Sequence, residues 1–125
     1  MIDEACSKYV VGGAFDFTKL TCHNEVFDAV VDVVSSCHNN IHDLPDIYRE
    51  VARVLKPGGR FFLMCPTTGS SQEPFLDYGA VSFIDELDLR LLLQEWFDIL
   101  ELTKSSYQPS SGCKVEHWVV SATKR

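Results

Sequence analysis

The chain alternates between two hydrophobic periods, and the switches between them mark out strands and helices. Phe27-Asp-Ala-Val-Val-Asp-Val-Val34 is β-branched and almost continuously apolar. That texture predicts a parallel-sheet strand covered on both faces. From Asp43 the period lengthens. Leu44, Ile47, Tyr48, Val51 and Leu55 recur on one helical face, with Arg49, Glu50 and Arg53 largely opposite. Asp43 reads as this helix's N-cap, Asp46 as a first-turn carboxylate, and Pro57-Gly58 as its stop. Arg60-Phe-Phe-Leu-Met-Cys65 predicts a second buried strand. A second helix follows from Asp85, with Asp88 in its first turn. Leu87, Leu91 and Trp96 are expected on its inner face, broadened by Leu92 and Leu93. The stretches 97–103 and 114–122 are strand-like, and no helical pattern separates them, so an antiparallel hairpin is expected.

Strand, helix, strand, helix and terminal hairpin define an α/β chain. The expected architecture is a Rossmann-like three-layer sandwich, mostly parallel, with a C-terminal antiparallel hairpin. With 125 residues and no internal repeat, residues 1–125 form one domain.

Composition narrows the partners. Eleven basic residues against eighteen acidic ones give a formal charge of −7, which disfavours tracking along nucleic-acid phosphates. No apolar run reaches the roughly 20 residues of a membrane span. The first residues lack a basic region followed by an apolar stretch, so a cytoplasmic location is expected. Five cysteines without a CxxC pair read as reduced thiols, and no set at zinc-site spacing predicts a metal.

Ligands of open parallel sheets collect beyond the carboxyl ends of the strands. Those ends are residues 32–40 and 66–71. Asp32 is an acid inside an apolar run, and it needs either a cationic ligand group or nearby backbone donors. Cys65 at a strand end reads as a buried thiol; His23, His42 and His117 read as structural.

Three stretches resemble a known family: Phe27-Asp-Ala-Val-Val, His38, and the run from Tyr48 through Arg53-Val-Leu-Lys-Pro-Gly-Gly59 to Pro66. They look like the class I S-adenosylmethionine-dependent methyltransferases of the small-molecule type. The resemblance begins late, as though the first two strands and the glycine-rich turn were missing, so a form truncated at its N-terminus is expected. By that resemblance Asp16 would accept from the adenine amino group and Phe17 would lie along the ring. Asp32 and Val33 would border the methionine end of S-adenosylmethionine. His38, Asn39, Pro66 and Thr67 would lie on the substrate side, with His38 the candidate base. The expected acceptor is a small molecule. Losing two charge-assisted cofactor contacts removes roughly 3–6 kcal/mol, about 100–10,000-fold in affinity. An exposed edge on the 27–34 strand would invite a protein partner or self-association. The alternative to an enzyme is an inactive methyltransferase-like chain that binds or regulates a partner.

Overall fold

A single mixed sheet organises residues 18–20 and 22–125, which are those the computed structural model describes. Its strands are β1 (Phe27–Val33), β2 (Leu55–Pro66), β3 (Phe97–Ser110) and β4 (Cys113–Lys124), in the spatial order β1-β2-β4-β3. Helix α1 (Leu44–Val54) connects β1 to β2, and α2 (Glu86–Gln94) precedes β3. The crossover through α1 makes β1 and β2 parallel, whereas β2–β4 and β3–β4 are antiparallel. The terminal hairpin is therefore as expected. The expectation of a mostly parallel sheet is corrected, since one of the three described pairings is parallel.

Pairing register decides which side chains share a face. Val30, Phe61, Leu63, Cys65, Trp118, Val120 and Ala122 point to one side, where α1 and α2 cover them. Tyr48 of α1 lies 5.9 Å from Phe61, and Phe61 lies 5.2 Å from Phe97, ring centre to ring centre. On the other side Val31 is 66% exposed, Val33 62% and Phe62 41%. The described residues thus cover β1 on one face, and the expected cover of the second face is not among them. Among the described residues one helical layer covers one face.

Helix α1 buries Leu44, Ile47, Tyr48 and Val51, as its spacing predicts. Its start is different. Asp43 makes no side-chain cap; instead Asn40 accepts from the His42 N–H and opens a 3-10 turn, Ile41–Asp43, that runs into the helix. The helix also ends at Val54, before Pro57, and β2 begins at once. In α2 the Asp85 carboxylate accepts from the Asp88 N–H, as expected. The inner face is Leu89 and Leu93, however, and Leu87 (66%) and Leu91 (52%) are exposed.

Lys56–Gly59 bulge out between the pairs Phe27–Leu55 and Ala29–Arg60. Gly58 takes φ +78° there. A Cβ on Gly59 would come within 2.8 Å of the Lys56 carbonyl and 3.1 Å of the Asp28 carbonyl, so only glycine lets β1 and β2 meet this closely. Arg53 anchors the approach to β1. Its guanidinium donates to the carbonyls of Leu20 (2.8 Å) and Cys22 (2.8 Å), to Asn24 Oδ1 (2.7 Å) and to Glu50 (2.7 Å). Cys37, Cys65 and Cys113 are free thiols, whereas Cys22 is disulfide-bonded, which corrects the expectation of reduced cysteines.

Candidate functional site at the carboxyl ends of β1 and β2

Strand β1 ends in a turn built around Asp32. Its carboxylate, on the helix-covered face, accepts from the backbone N–H groups of Ser35 (3.0 Å) and Ser36 (3.2 Å). Of the two readings of Asp32, the structure shows the backbone one. Val34 is held at φ +54°, a left-handed conformation that costs a β-branched residue about 1–3 kcal/mol. Its N–H donates to the Met64 carbonyl at 2.8 Å, which secures it against β2. Ser36 then shares a buried 3.0 Å hydrogen bond with the Tyr48 hydroxyl.

His38 and Asn39 follow, both half-buried, on the 3-10 turn Ser36–His38 and its C-cap. Asn39 Nδ2 donates to the Ser36 carbonyl (3.0 Å). Ser82 clamps the same turn from across the site. Its N–H donates to the Cys37 carbonyl (2.7 Å) and its hydroxyl to the Asn39 carbonyl (2.8 Å). Two residues on, the Ile84 N–H donates to the Pro66 carbonyl at 3.1 Å. The 82–84 stretch therefore ties the loop after β1 to the end of β2. That connection between His38–Asn39 and Pro66 had no signal in the sequence.

Thr67 is fully buried, and its hydroxyl donates to Glu116 Oε1 at 2.6 Å while accepting from the Gly69 N–H at 3.0 Å. Glu116 also receives Lys114 (2.8 Å) and Lys104 (3.9 Å). Lys114 and Thr67 hold its carboxyl below the usual carboxylate range. A Cβ on Gly69 would lie 2.6 Å from that carboxylate, so Gly69 lets the loop close over it. Burial, then Asp32, pushes the Cys37 thiol up to about 12, and burial raises Cys65 further, so both are inert thiols.

Asp32 and Val33 point to opposite faces of β1, so they do not converge on one ligand atom. Asp16 and Phe17 lie outside the described residues. His117, read from sequence as structural, is buried with its Nε2 lacking a partner. The indole of Trp118 donates to the Ile84 carbonyl at 2.7 Å in the interior. Among the described residues no group of three His, Cys, Asp or Glu is placed to hold a metal, and no helix is long and apolar enough to cross a membrane.

Among the described residues a four-stranded mixed sheet with a crossover helix, a terminal antiparallel hairpin and loops gathered at the ends of β1 and β2 makes an α/β arrangement. Residues 3–63, just under half the chain, match the family described as "Methyltransferase domain". The fold matches solved structures at low identity. A protein from Methanosarcina mazei described among S-adenosylmethionine-dependent methyltransferases is 21% identical, with a TM-score of 0.67 over 88% of this chain. The Burkholderia thailandensis 1,6-didemethyltoxoflavin-N1-methyltransferase, solved with 1,6-didemethyltoxoflavin and S-adenosylhomocysteine, is 17% identical, with a TM-score of 0.69 over 90%. The [4+2]-cyclase SpnF is 17% identical, with a TM-score of 0.66 over 90%. This chain spans 65%, 49% and 56% of their respective lengths. Comparison with curated proteins gives no match. The resemblance is thus matched by a methyltransferase-domain family over residues 3–63 and, separately, by a fold shared with these solved structures. The cyclase shows that the fold alone does not fix the reaction.

Proposed function

We propose that the chain is an S-adenosylmethionine-dependent methyltransferase domain acting on a small-molecule acceptor. The observation that carries this is the family match over residues 3–63, which spans β1, α1 and most of β2, the elements that build the candidate site. The small-molecule acceptor is supported by the toxoflavin-type ligand of the Burkholderia relative. S-adenosylmethionine supplies a methyl group already activated on a sulfonium, so the protein's task is alignment and exclusion of water.

Asp16 and Phe17 keep the adenine side in this proposal. Val33, with its exposed side chain at the end of β1, borders the methionine end. The apolar Val33 fits a wall against a thioether chain. The Asp32 carboxylate, already accepting from two amides, shapes the turn instead. His38, Asn39 and Pro66 line the acceptor side, with His38 as base where the acceptor carries a proton. Thr67 holds the loop through Glu116. A helical layer over the open face, completing the three-layer sandwich, belongs to the same proposal.

Calorimetric titration of the chain with S-adenosylhomocysteine tests it. Saturable one-to-one binding supports the reading. Absence of heat up to about 1 mM, the limit of roughly −4 kcal/mol, removes it.

The second reading, a non-catalytic chain that pairs with a partner or itself, is favoured by exposed Val31, Val33 and Phe62 on one sheet face. Light scattering would then give a mass above 14.1 kDa that falls to that value in Val31→Lys. A cytoplasmic location is supported by the three free thiols and opposed by the bonded Cys22. Alkylation during lysis, followed by counting modified cysteines, decides between them.

A further inference from the structure

Among the described residues, buried polar side chains are satisfied almost throughout. Asp32, Ser36, Thr67, Ser70, Ser82 and Glu116 each have a hydrogen-bonding partner. Among the described residues His117 Nε2 is the one buried side-chain nitrogen or oxygen without one, on a residue only 6% exposed. Native interiors leave such an atom unpaired where a ligand or water completes it.

Its place in the sheet says which. On β4 His117 pairs with Pro66, the last residue of β2, and with Ser105 of β3. Alternation along the strands puts it on the face of Val119, Met64, Val33 and Val31, opposite α1 and α2. It thus stands at the carboxyl end of β2, where ligands of such sheets bind, on the face that the described helices leave open. Towards β1 its neighbours on that face, Pro66, Met64, Val119 and Val33, are apolar, while on β3 Ser105 and Thr103 bring hydroxyls. A few polar groups beside a mostly apolar wall make the arrangement of a small-molecule pocket.

We infer that His117 is a ligand-binding residue whose Nε2 hydrogen-bonds the hydroxyl of a largely apolar small molecule seated over the carboxyl end of β2. Naming that molecule as the methyl acceptor rests on the methyltransferase reading; the binding site itself does not. Burial holds the imidazole below the usual histidine pKa, so the ring is neutral near pH 7 and keeps one accepting and one donating nitrogen.

Phenol, an apolar ring with one hydroxyl, is the probe. Long-range proton–nitrogen spectra of the whole chain, labelled at its four histidines, follow each ring during a phenol titration with and without S-adenosylhomocysteine. Phenol is expected to move the His117 Nε2 resonance and leave His23 and His42 in place. His117→Phe should weaken phenol binding by about tenfold, while His117→Gln, which keeps a polar tip, should stay within about threefold. A His117 ring indifferent to phenol, or one bonded to an ordered water that phenol does not displace, overturns the inference. If S-adenosylhomocysteine binds while His117 stays silent, the inference fails and the methyltransferase reading survives. If phenol reaches His117 in a chain that takes no S-adenosylhomocysteine, the site stands and its ligand is not a methyl acceptor.

Discussion

Asp32 and Val34 show how individual residues set up the loop after β1. The Asp32 carboxylate accepts from two amides of the turn, and removing it leaves one buried and one part-buried donor without that partner. Asp32→Ala is expected to lower unfolding stability by about 1–3 kcal/mol, read from urea melts. Val34 carries the opposite kind of feature, a side chain packed against the core on a backbone that favours glycine. In Val34→Gly the lost packing and the relieved conformation oppose each other. Its net effect should stay within about 1 kcal/mol of wild type by the same melts. In the sequence Asp32 is anomalous because an acid stands out in an apolar run. Nothing local marks Val34 or His117. A left-handed φ and a missing hydrogen-bond partner arise only when distant strands come together, and no local pattern encodes them.

Elements were legible in proportion to how unequal their faces are. Helix α1 has polar residues at 46, 49, 50 and 53, so the apolar row Leu44, Ile47, Tyr48 and Val51 has one place to go. Helix α2 has leucines at 87, 89, 91, 92 and 93, and two rows four residues apart compete. The sheet selects Leu89 and Leu93, a choice that depends on how the helix meets β3 rather than on its own spacing. Leu89→Ala and Leu93→Ala should each cost about 2–5 kcal/mol, while Leu87→Ala and Leu91→Ala should stay within about 0.5 kcal/mol. Thermal melts of the four variants check this. The strand ends were harder to read, because β2 takes in Lys56–Gly59 as a bulge where the local signal was helix termination. Of the candidate site, the two loop positions followed from topology. The strap of residues 82–84 that joins them did not.

At the scale of the molecule, acid should erode stability in two stages. His117 has its pKa lowered by burial, so the unfolded chain takes up a proton first. The corresponding stability is present above about pH 6.5 and is lost as pH falls from there towards the folded value. Glu50 has its pKa lowered chiefly by its hydrogen bond to Arg53. Its contribution is present above about pH 4.5 and disappears as pH drops through the lower folded value. Urea midpoints measured across this range should decline in both windows. His117→Gln should flatten the upper one, and Glu50→Gln part of the lower, to which Glu116 also contributes.

The stretch that makes this chain recognisable does so for mechanical reasons. Arg53 gathers the carbonyls leading into β1, and Gly59 keeps the neighbouring backbones from colliding. Neither role touches a methyl group. A descendant that had ceased to be a catalyst would keep both residues under the same pressure, because its shape would still require them. Similarity keyed to that stretch therefore counts survivors of folding, working or retired alike.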